Sequence, residues 1–351
     1  MITGAGGSIG AELTRQILIC RPRKLILFEV SEIALYNITR ELDELGLTKS
    51  AQVIGVLGSV TDDVVVRREI AKHDVDVVLH AAAYKHVNIV ETNVLAGLRN
   101  NVLGTKVVAN AARDAGVGYF ILVSTDKAVR PTSIMGASKR MAEYVVQDLA
   151  KRAADTKFSI VRFGNVLGSS GSVVPLFEDQ IARGGPVTLT HPDVTRYFMT
   201  LSEAARLVLL AGNYTKGGDM FVLDMGDPVP IRLLAEQMID AAGYSVWNKE
   251  NPNGDIEMTI HGLMPGEKLH EELISPESSL TKTGHPKILT TDESSLSEIE
   301  VASAIKSLER AIELGDVDAA LAVIYRRVGR YHLDSDHNVI GDQGHWADAA
   351  L

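Results

Sequence analysis

The chain has 351 residues, of which 46% are hydrophobic and 23% charged, and its formal net charge is -10 at pH 7. A chain of this length and composition can bury a sizeable hydrophobic core, either as one large domain or as a main domain with a smaller lobe. The acidic balance argues against nucleic acid or an anionic membrane surface as the main partner, because both favour basic surfaces.

The single cysteine, Cys20, excludes an intrachain disulfide and favours a reducing, cytosol-facing compartment. No signal peptide precedes the first glycines, and no apolar run reaches the roughly 18 residues that a membrane helix needs. Met1-Ile2-Thr3 supplies only the end of a strand before Gly4. We therefore expect a natural start further upstream, with a first strand or whole domains ahead of this segment.

Short apolar runs alternate with amphipathic stretches in the first half, which is typical of repeated βα units on a parallel sheet. The predicted strands are Leu25–Leu27, Ala51–Val56, Val75–His80, Tyr119–Ser124 and Lys157–Phe163. The predicted helices between them are Ile9–Cys20, Ser31–Leu45, Asp62–His73, Leu95–Ala115 and Ser138–Ala153.

The pattern becomes irregular after Gly164, where a Gly/Ser loop precedes a predicted helix, Val174–Arg183, and a short strand, Val187–Leu189. The Ser/Thr-rich stretch 275–300 is predicted to be a surface excursion before a helix at about Ser297–Gly315. The tail 331–351 lacks apolar periodicity and is expected to be poorly ordered or to lie on the surface.

A glycine-rich loop lies between a strand end and an amphipathic helix, the context that makes a dinucleotide site credible. Gly4 permits the tight turn, Gly7 lets the backbone approach a pyrophosphate, and Gly10 allows close helix packing. Glu29 ends the next strand nineteen positions after Gly10, which suits an acid on the adenosine ribose. No Arg or Lys follows directly to accept a 2′-phosphate, so the loop predicts NAD rather than NADP.

Polar residues also end the strand Tyr119–Ser124, where doubly wound sheets bind their ligands. Ser124-Thr125-Asp126-Lys127 stands there, followed by Met135-Gly136-Ala137-Ser138-Lys139. With these segments, the chain resembles the extended short-chain dehydrogenase/reductase superfamily, and within it the bacterial polysaccharide-biosynthesis enzymes that act on UDP-N-acetylglucosamine. The stretches that carry the resemblance are 3–10, 80–87, 124–132, 135–140, 162–168 and 265–268.

The resemblance implies a Tyr-x-x-x-Lys pair, of which Lys139 supplies the lysine while Met135 stands where the tyrosine belongs. A thioether cannot exchange a proton near neutral pH. The same methionine is typical of the long-form UDP-N-acetylglucosamine 4,6-dehydratases that retain the C5 configuration, whereas inverting relatives keep the tyrosine. Long-form members also carry membrane helices and another domain ahead of the catalytic one, so a cytoplasmic catalytic part of a longer inner-membrane protein is one expectation.

The implied reaction oxidises C4 of the sugar with NAD, eliminates water across C5 and C6, and returns the hydride to C6. We expect Asp126 to protonate the departing C6 hydroxyl, which needs a pKa raised by burial, and Lys127 to remove the C5 proton, which needs a depressed pKa. Thr125 is expected to hydrogen-bond the C4 oxygen. The acceptor of the C4 hydroxyl proton is left open among Lys127, Asp126 and an ordered water.

The resemblance also assigns ligand contacts. On the cofactor side they are Gly4, Gly6, Gly7, Ser8, Ile9, Gly10, Glu29, Ser31, Ser59, Val60, Ala81, Ala82, Ala83, Lys85, Asn101 and Lys139. On the UDP-sugar side they are Lys85, His86, Asn165, Val174, Pro186, Thr188, Arg196, Glu267 and Glu272. Two departures weaken local contacts: Ser59 replaces a common aspartate near adenine, and Met264 stands where relatives often have arginine.

Together these observations predict an α/β fold, a doubly wound parallel-sheet Rossmann fold with a smaller C-terminal substrate lobe. The expected units are 1–165 for NAD with 195–225 returning to it, 166–290 mainly for the UDP-sugar, C-terminal helices in 291–330, and the tail 331–351. Relatives associate through the helices flanking the Tyr-x-x-x-Lys position, so we expect a homo-oligomer.

Two other functions remain open from the sequence. A UDP-N-acetylhexosamine 4-epimerase on the same fold would expel no water and would normally keep the tyrosine. A non-catalytic NAD-binding scaffold is disfavoured because Asp126, Lys127 and Lys139 are all present. A metal site is not predicted, since the histidines are scattered and Cys20 lies alone.

Overall fold

A computed structural model describes residues 1–328 of the chain. The predicted tail 331–351 lies outside the described residues. Within the described part, no helix is both long and apolar enough to cross a membrane.

The strands of residues 1–328 form one large sheet and three small ones. They are β1 (Ile2–Thr3), β2 (Lys24–Glu29), β3 (Gln52–Leu57), β4 (Val77–His80), β5 (Tyr119–Val123), β6 (Lys157–Arg162), β7 (Asn165–Leu167), β8 (Val187–Leu189), β9 (Thr195–Arg196), β10 (Phe198–Thr200), β11 (Asp219–Leu223), β12 (Val229–Pro230), β13 (Val246–Trp247), β14 (Ile256–Ile260), β15 (Leu280–Lys282) and β16 (Ile288–Thr291).

The α-helices connect these strands. They are α1 (Ser8–Ile19), α2 (Glu32–Glu44), α3 (Asp63–His73), α4 (Val87–Thr92), α5 (Val94–Leu98), α6 (Gly104–Asp114), α7 (Ile134–Arg152), α8 (Val173–Ala182), α9 (Leu201–Tyr214), α10 (Ile231–Ala241), α11 (Glu298–Leu314) and α12 (Val317–Val328).

The large sheet has the order β15-β16-β11-β6-β5-β4-β1-β2-β3 and is parallel from β11 to β3. Apolar residues on its two faces pack against different helices: α3, α6, α7, α11 and α12 cover one face, and α1, α2 and α9 cover the other. This arrangement is a doubly wound Rossmann fold, as predicted. The sheet brings the carboxyl ends of β1, β4 and β5 to one edge, where the site lies.

A third apolar cluster holds a smaller lobe together. It joins α8 and α10 to β8 and β14, through Phe177, Val187, Ile231 and Ile256 among others. Residues 195–225 contribute α9 and β11 to the large sheet's side of the molecule. The division into functional domains stays a prediction.

The prediction of a surface excursion over 275–300 holds for most of these residues, which are exposed or half-buried, but it missed two strands. Strand β16 pairs antiparallel with β11, and Ile288 is fully buried. Strand β15 then pairs with β16 at the sheet's edge. The two strands are three and four residues long, and the signal of such short strands is weak and depends on context.

The helix predicted over Leu95–Ala115 is interrupted. A π-helical turn, Arg99–Leu103, separates α5 from α6. Gly104 follows this turn because a Cβ there would lie 2.7 Å from Val60 Cγ2. Such turns often occur at functional sites, and this one carries Asn101.

Helix α7 is covered by the last two helices that the structure describes, α11 and α12. Sixteen residues of α7, from Ile134 to Leu149, are buried, and α11 and α12 pack against it. The face through which we expected two copies to associate is therefore closed while these helices stay docked. The homo-oligomer itself remains a prediction.

Candidate active site

A cleft of about 550 Å³ opens at the carboxyl edge of the parallel sheet. Its walls come from the glycine loop, the loop after β4, the end of β5, the start of α7 and the loop after β7. The residues on these walls are Gly4, Gly7, Ser8, Ile9, Gly10, Ala81, Ala83, Tyr84, Lys85, His86, Ile89, Val90, Val123, Ser124, Thr125, Lys127, Met135, Lys139, Phe163, Gly164, Asn165, Val166, Ser169, Ser170, Gly171 and Ser172.

The glycine loop has the close backbone packing that a dinucleotide site requires. Gly4 has φ +66°, and a Cβ on Gly10 would lie 2.0 Å from the Gly4 carbonyl oxygen. Gly7, in contrast, is exposed, and a Cβ there would have only one neighbour within 4 Å, at 3.4 Å. It precedes α1 without a side-chain cap, so the first N–H groups of α1 face the cleft free of a capping side chain. These features fit a bound pyrophosphate.

Glu29 is more deeply built into the protein than we predicted. Its carboxylate accepts hydrogen bonds from the backbone N–H groups of Gly6 (2.9 Å), Val30 (2.9 Å) and Ser31 (3.0 Å), and the residue is 7% exposed. Glu29 therefore braces the glycine loop against β2. Its predicted contact with a ribose stays a prediction, because Glu29 is not on the cleft wall.

Several other predicted cofactor contacts do not line the cleft. The Ser31 hydroxyl caps α2 by accepting the N–H of Ala34. The Ser59 hydroxyl is hydrogen-bonded to Thr61, and Val60 is buried. Ala82 lies beneath Gly4, whose Cβ would come within 2.8 Å of it.

Asn101 has a connecting role in this structure. Its side chain accepts the N–H of Tyr84 (2.8 Å) and donates to the Tyr84 carbonyl (3.0 Å) and the Ser138 hydroxyl (2.9 Å). It is 1% exposed and does not reach the cleft wall. Asn101 therefore ties the loop after β4 to α7, and both of these elements line the cleft.

The end of β5 turns into a short 3₁₀ helix, Asp126–Ala128, which concentrates polar groups. Lys127 Nζ lies 3.1 Å from Asp126 Oδ1 and 3.1 Å from Asn165 Oδ1. Thr125 Oγ1 donates to the same Asp126 oxygen at 2.9 Å. Thr125, Lys127 and Asn165 line the cleft, whereas Asp126 is fully buried behind them.

Burial raises the pKa of Asp126, although the Lys127 charge opposes that shift. The direction agrees with the predicted acid. For Lys127 the predicted depressed pKa was wrong for this structure: burial lowers it, but the carboxylates of Asp126 and Glu271 outweigh burial and raise it. The ammonium is held by acceptors on three sides.

Glu271 is the site residue that sequence reasoning missed. Its Oε1 lies 3.2 Å from Lys127 Nζ, and its side chain is 3% exposed. We had selected Glu272, one position later, but its carboxylate is instead paired with Arg130 and Lys268. The sequence offers Glu271-Glu272 after the Pro265–Lys268 motif, and nothing in it indicates which of the two faces inward.

Met135 and Lys139 lie on the cleft wall from the first turns of α7. The Ser133 hydroxyl caps this helix, which begins four residues earlier than predicted. Lys139 Nζ donates to the Val123 carbonyl at 2.7 Å, and burial lowers its pKa to about 8 despite the nearby Glu143 charge. No hydroxyl stands at position 135 to share a proton with Lys139.

A buried ionic cluster supports the end of β5 from beneath. Glu143 accepts hydrogen bonds from Ser124 (2.6 Å), Arg162 (2.7 Å and 2.6 Å) and Arg140 (3.0 Å). Arg162 also pairs with Glu293, just after β16. Burial alone would raise the Glu143 pKa, but Arg162 and the other donors lower it to about 2. The cluster was not predicted, since its members are spread across the sequence.

The residues predicted for the nucleotide side fall into two groups. Lys85, His86 and Asn165 line the cleft. The others lie outside its walls, in or near the smaller lobe, and their ligand contacts stay predictions: Val174, Pro186, Thr188, Arg196, Glu267 and Glu272.

Arg196 is 7% exposed and already has partners. It pairs with Glu267 at 2.7 Å and donates to the carbonyl oxygens of Thr195 (2.7 Å) and Leu269 (3.2 Å). A diphosphate that bound Arg196 would have to displace Glu267 from the guanidinium or share the guanidinium with it. Thr188 pairs with Gln180, which leaves it within the lobe's own packing.

A family model described as "Polysaccharide biosynthesis protein" matches residues 1–293. The chain is 47% identical over 275 residues to the capsular polysaccharide biosynthesis protein CapD of Staphylococcus aureus, a match that covers 78% of this chain and 45% of CapD. The chain thus spans about half the length of the first curated relatives it matches.

Two other relatives have different named activities at similar identity. A UDP-N-acetylglucosamine 4,6-dehydratase (inverting) of Campylobacter jejuni is 32% identical, covering 80% of this chain and 78% of the relative. A UDP-glucose 4-epimerase of Rickettsia rickettsii is 34% identical, covering 79% and 77%. Identity alone therefore does not separate dehydration from epimerisation.

Solved structures agree with the fold. Pen from Bacillus thuringiensis superposes with a TM-score of 0.73 at 29% identity, covering 87% of this chain and 96% of Pen. DesIV, a dTDP-glucose 4,6-dehydratase from Streptomyces venezuelae with NAD and DAU bound, superposes with a TM-score of 0.65 at 21% identity, covering 78% and 87%. The second likeness concerns the fold alone.

Proposed function

Because this chain belongs to the polysaccharide biosynthesis protein family and has the fold of extended short-chain dehydrogenases/reductases, we propose that it dehydrates UDP-N-acetylglucosamine. The product is UDP-2-acetamido-2,6-dideoxy-4-keto-hexose with the C5 configuration retained. One observation carries the proposal: Lys127 lies on the cleft wall in contact with buried Asp126, while Met135, which has no ionisable group, lines the same cleft. The proton chemistry therefore falls to the Asp–Lys pair. A cytosol-facing location is part of the proposal.

NAD is the cofactor of this proposal. The glycine loop, with Gly7 and the start of α1, would hold its pyrophosphate, and Lys139 would hold the nicotinamide ribose. Glu29, beside the same loop, disfavours a 2′-phosphate by its charge. Bound NAD supplies a hydride acceptor for C4 and later a hydride donor for C6. Oxidation at C4 also releases the hydroxyl proton, which we assign to an ordered water because the Asp126–Lys127 pair keeps its single mobile proton for the elimination. The C4 ketone makes the C5 hydrogen acidic enough for a side chain to remove.

The Asp126–Lys127 contact explains how an ammonium can become a base. Transfer of one proton from Lys127 Nζ to Asp126, 3.1 Å away, leaves a neutral amine and a protonated acid. The raised pKa of Asp126 favours that transfer, whereas the raised pKa of Lys127 opposes it. Entry of the sugar beside Lys127 would replace contacts that now hold the charged amine.

Elimination then uses both groups. The Lys127 amine takes the C5 proton, the C5–H electron pair forms the C5–C6 double bond, and the C6 oxygen leaves with its bonding pair and the Asp126 proton as water. The pair ends as ammonium and carboxylate, which can form the ion pair at 3.1 Å. Thr125, on the cleft wall, would donate to the C4 oxygen, for which it must release Asp126.

The test is incubation of the protein with UDP-N-acetylglucosamine and NAD in D₂O, followed by mass and NMR analysis. We expect loss of one water, a new 6-methyl signal and one solvent deuteron at C5. A product of unchanged mass with inverted C4 would overturn the proposal. It would support a UDP-N-acetylhexosamine 4-epimerase, which the Rickettsia relative favours at 34% identity. Absence of any turnover would favour a binding scaffold.

A further inference from the structure

Glu271 occupies a position in the site that the reaction described above does not use. It lies in a segment anchored to both halves of the molecule. Thr195 N–H donates to the Leu269 carbonyl at 3.1 Å, and the Thr132 hydroxyl donates to the Gly266 carbonyl at 3.0 Å. These bonds hold the segment between β9 and the loop before α7. The Glu271 side chain is thereby directed to Lys127.

The charges around Glu271 come from three elements. Lys127 and Asp126 lie on the turn after β5, Arg196 lies on β9, and Lys268 is on the same segment as Glu271. Burial alone would raise the pKa of Glu271, but the charges of Lys127, Arg196 and Lys268 outweigh burial and lower it. The carboxylate therefore stays ionised. Its second oxygen, Oε2, is buried without a hydrogen-bond partner among residues 1–328, as is Asp126 Oδ2. Two buried carboxylates thus share one ammonium.

We propose that Glu271 is a positioning residue for the dehydration, which holds the Lys127 side chain against Asp126 and keeps the three-residue cluster at one net negative charge. This inference rests on the proposed function. The active cluster contains one mobile proton, shared between Asp126 and Lys127, while Glu271 stays ionised. A second proton on Asp126 stops the reaction, because Lys127 can then no longer hand its own proton over.

The sign of the pH effect follows from this proton count. The negative charge of Glu271 raises the proton affinity of both Asp126 and Lys127. Removing that charge lowers both affinities. The acidic limb of the pH profile reports protonation of Asp126 and must therefore move to lower pH. A residue that only supported the fold would lower the rate without moving the limb.

The experiment compares Glu271→Gln, which keeps the shape, with Glu271→Asp, which keeps the charge. We expect Glu271→Gln to lower kcat/KM at the wild-type optimum by about 10–100-fold and to move the acidic limb to lower pH. Glu271→Asp should lose rate but keep the limb where it is. Glu277→Gln is the matched control, because Glu277 is an exposed acid on the same segment. An acidic limb that stays put in Glu271→Gln overturns the inference.

A second measurement needs no substrate. Acetic anhydride labels neutral amines, so the labelling rate of Lys127, read by mass spectrometry, follows its proton affinity. At a pH of about 8 we expect Glu271→Gln to speed Lys127 labelling about threefold or more. Lys85 and Lys139 line the same cleft and serve as internal standards.

The two measurements separate this inference from the proposed function. In one outcome, the wild type fails to dehydrate UDP-N-acetylglucosamine while Lys127 still labels faster in Glu271→Gln. That result supports the electrostatic role of Glu271 and overturns the proposed reaction. Unchanged Lys127 labelling, with Lys85 and Lys139 also unchanged, overturns the role of Glu271 whatever the reaction is. Equal thermal unfolding midpoints of the variants show that these results concern the intact fold.

Discussion

Replacing Asp126 with asparagine removes the proposed acid, which is also the acceptor of the Lys127 proton, while keeping the shape of the side chain. Asp126 is fully buried, and asparagine keeps an oxygen that can accept from Thr125 and Lys127. A positioned acid contributes about 10²–10⁴ in rate, which corresponds to about 2.7–5.4 kcal/mol of barrier. We expect kcat for dehydration to fall by that factor. C4 oxidation does not use the Asp126 proton, so reduced cofactor should accumulate in the variant.

The assay is single-turnover analysis with UDP-N-acetylglucosamine, following water loss by mass and cofactor reduction by absorbance. Asp114→Asn is a suitable control, because Asp114 carries a similar carboxylate paired with Arg67 on the surface. Near-normal dehydration by Asp126→Asn would refute the acid role. Equal loss of cofactor reduction and of dehydration would instead place Asp126 in the first step.

Three further changes test other parts of the structure. Gly10→Ala would place a Cβ 2.0 Å from the Gly4 carbonyl oxygen, so we expect the free energy of unfolding in denaturant to fall by about 1–3 kcal/mol and NAD to bind more weakly. Gly7→Ala, which meets only one atom at 3.4 Å, should lose less stability. Glu293→Gln leaves Arg162 half-paired in the core and should cost about 3–5 kcal/mol, whereas Glu298→Gln, on an exposed pair, should cost under about 1 kcal/mol. Lys139→Met should abolish activity yet raise stability at neutral pH by about 1–3 kcal/mol, because burial holds the Lys139 pKa near 8, below its usual 10.5. The wild-type penalty should shrink as pH rises from about 8 to about 10.5, so a constant difference across that window would contradict the reasoning.

The parallel half of the fold was predictable because its inner strands are buried on both faces. Tyr119–Val123, for example, is an unbroken run of aromatic and aliphatic residues that ends where Ser124 begins. The observed ends of the five predicted strands differ from the predicted ends by at most two residues. The same periodicity fails at β16, whose burial depends on β11 lying beside it. A strand that becomes part of the core through one distant neighbour has no clear signal of its own.

The site was predictable where chemistry follows the chain locally. Thr125, Lys127, Met135 and Lys139 line one cleft because β5 and α7 are consecutive elements of a βα unit. The distant partners were not accessible to such reasoning. Glu271 lies 144 positions beyond Lys127, counting 271 minus 127, and Glu272 would have satisfied the same sequence pattern.

The electrostatics of the cleft explain why methionine is tolerated at position 135. A tyrosine there would need a neighbouring cation to lower the pKa of its hydroxyl, but the Lys139 amine donates to the Val123 carbonyl and is itself weakened as a cation by burial. The Lys127 charge, in contrast, is reinforced by two carboxylates. Proton affinity is thus concentrated at the end of β5 and not on α7. The buried, apolar side chain at position 135 adds no titratable group to compete with that pair.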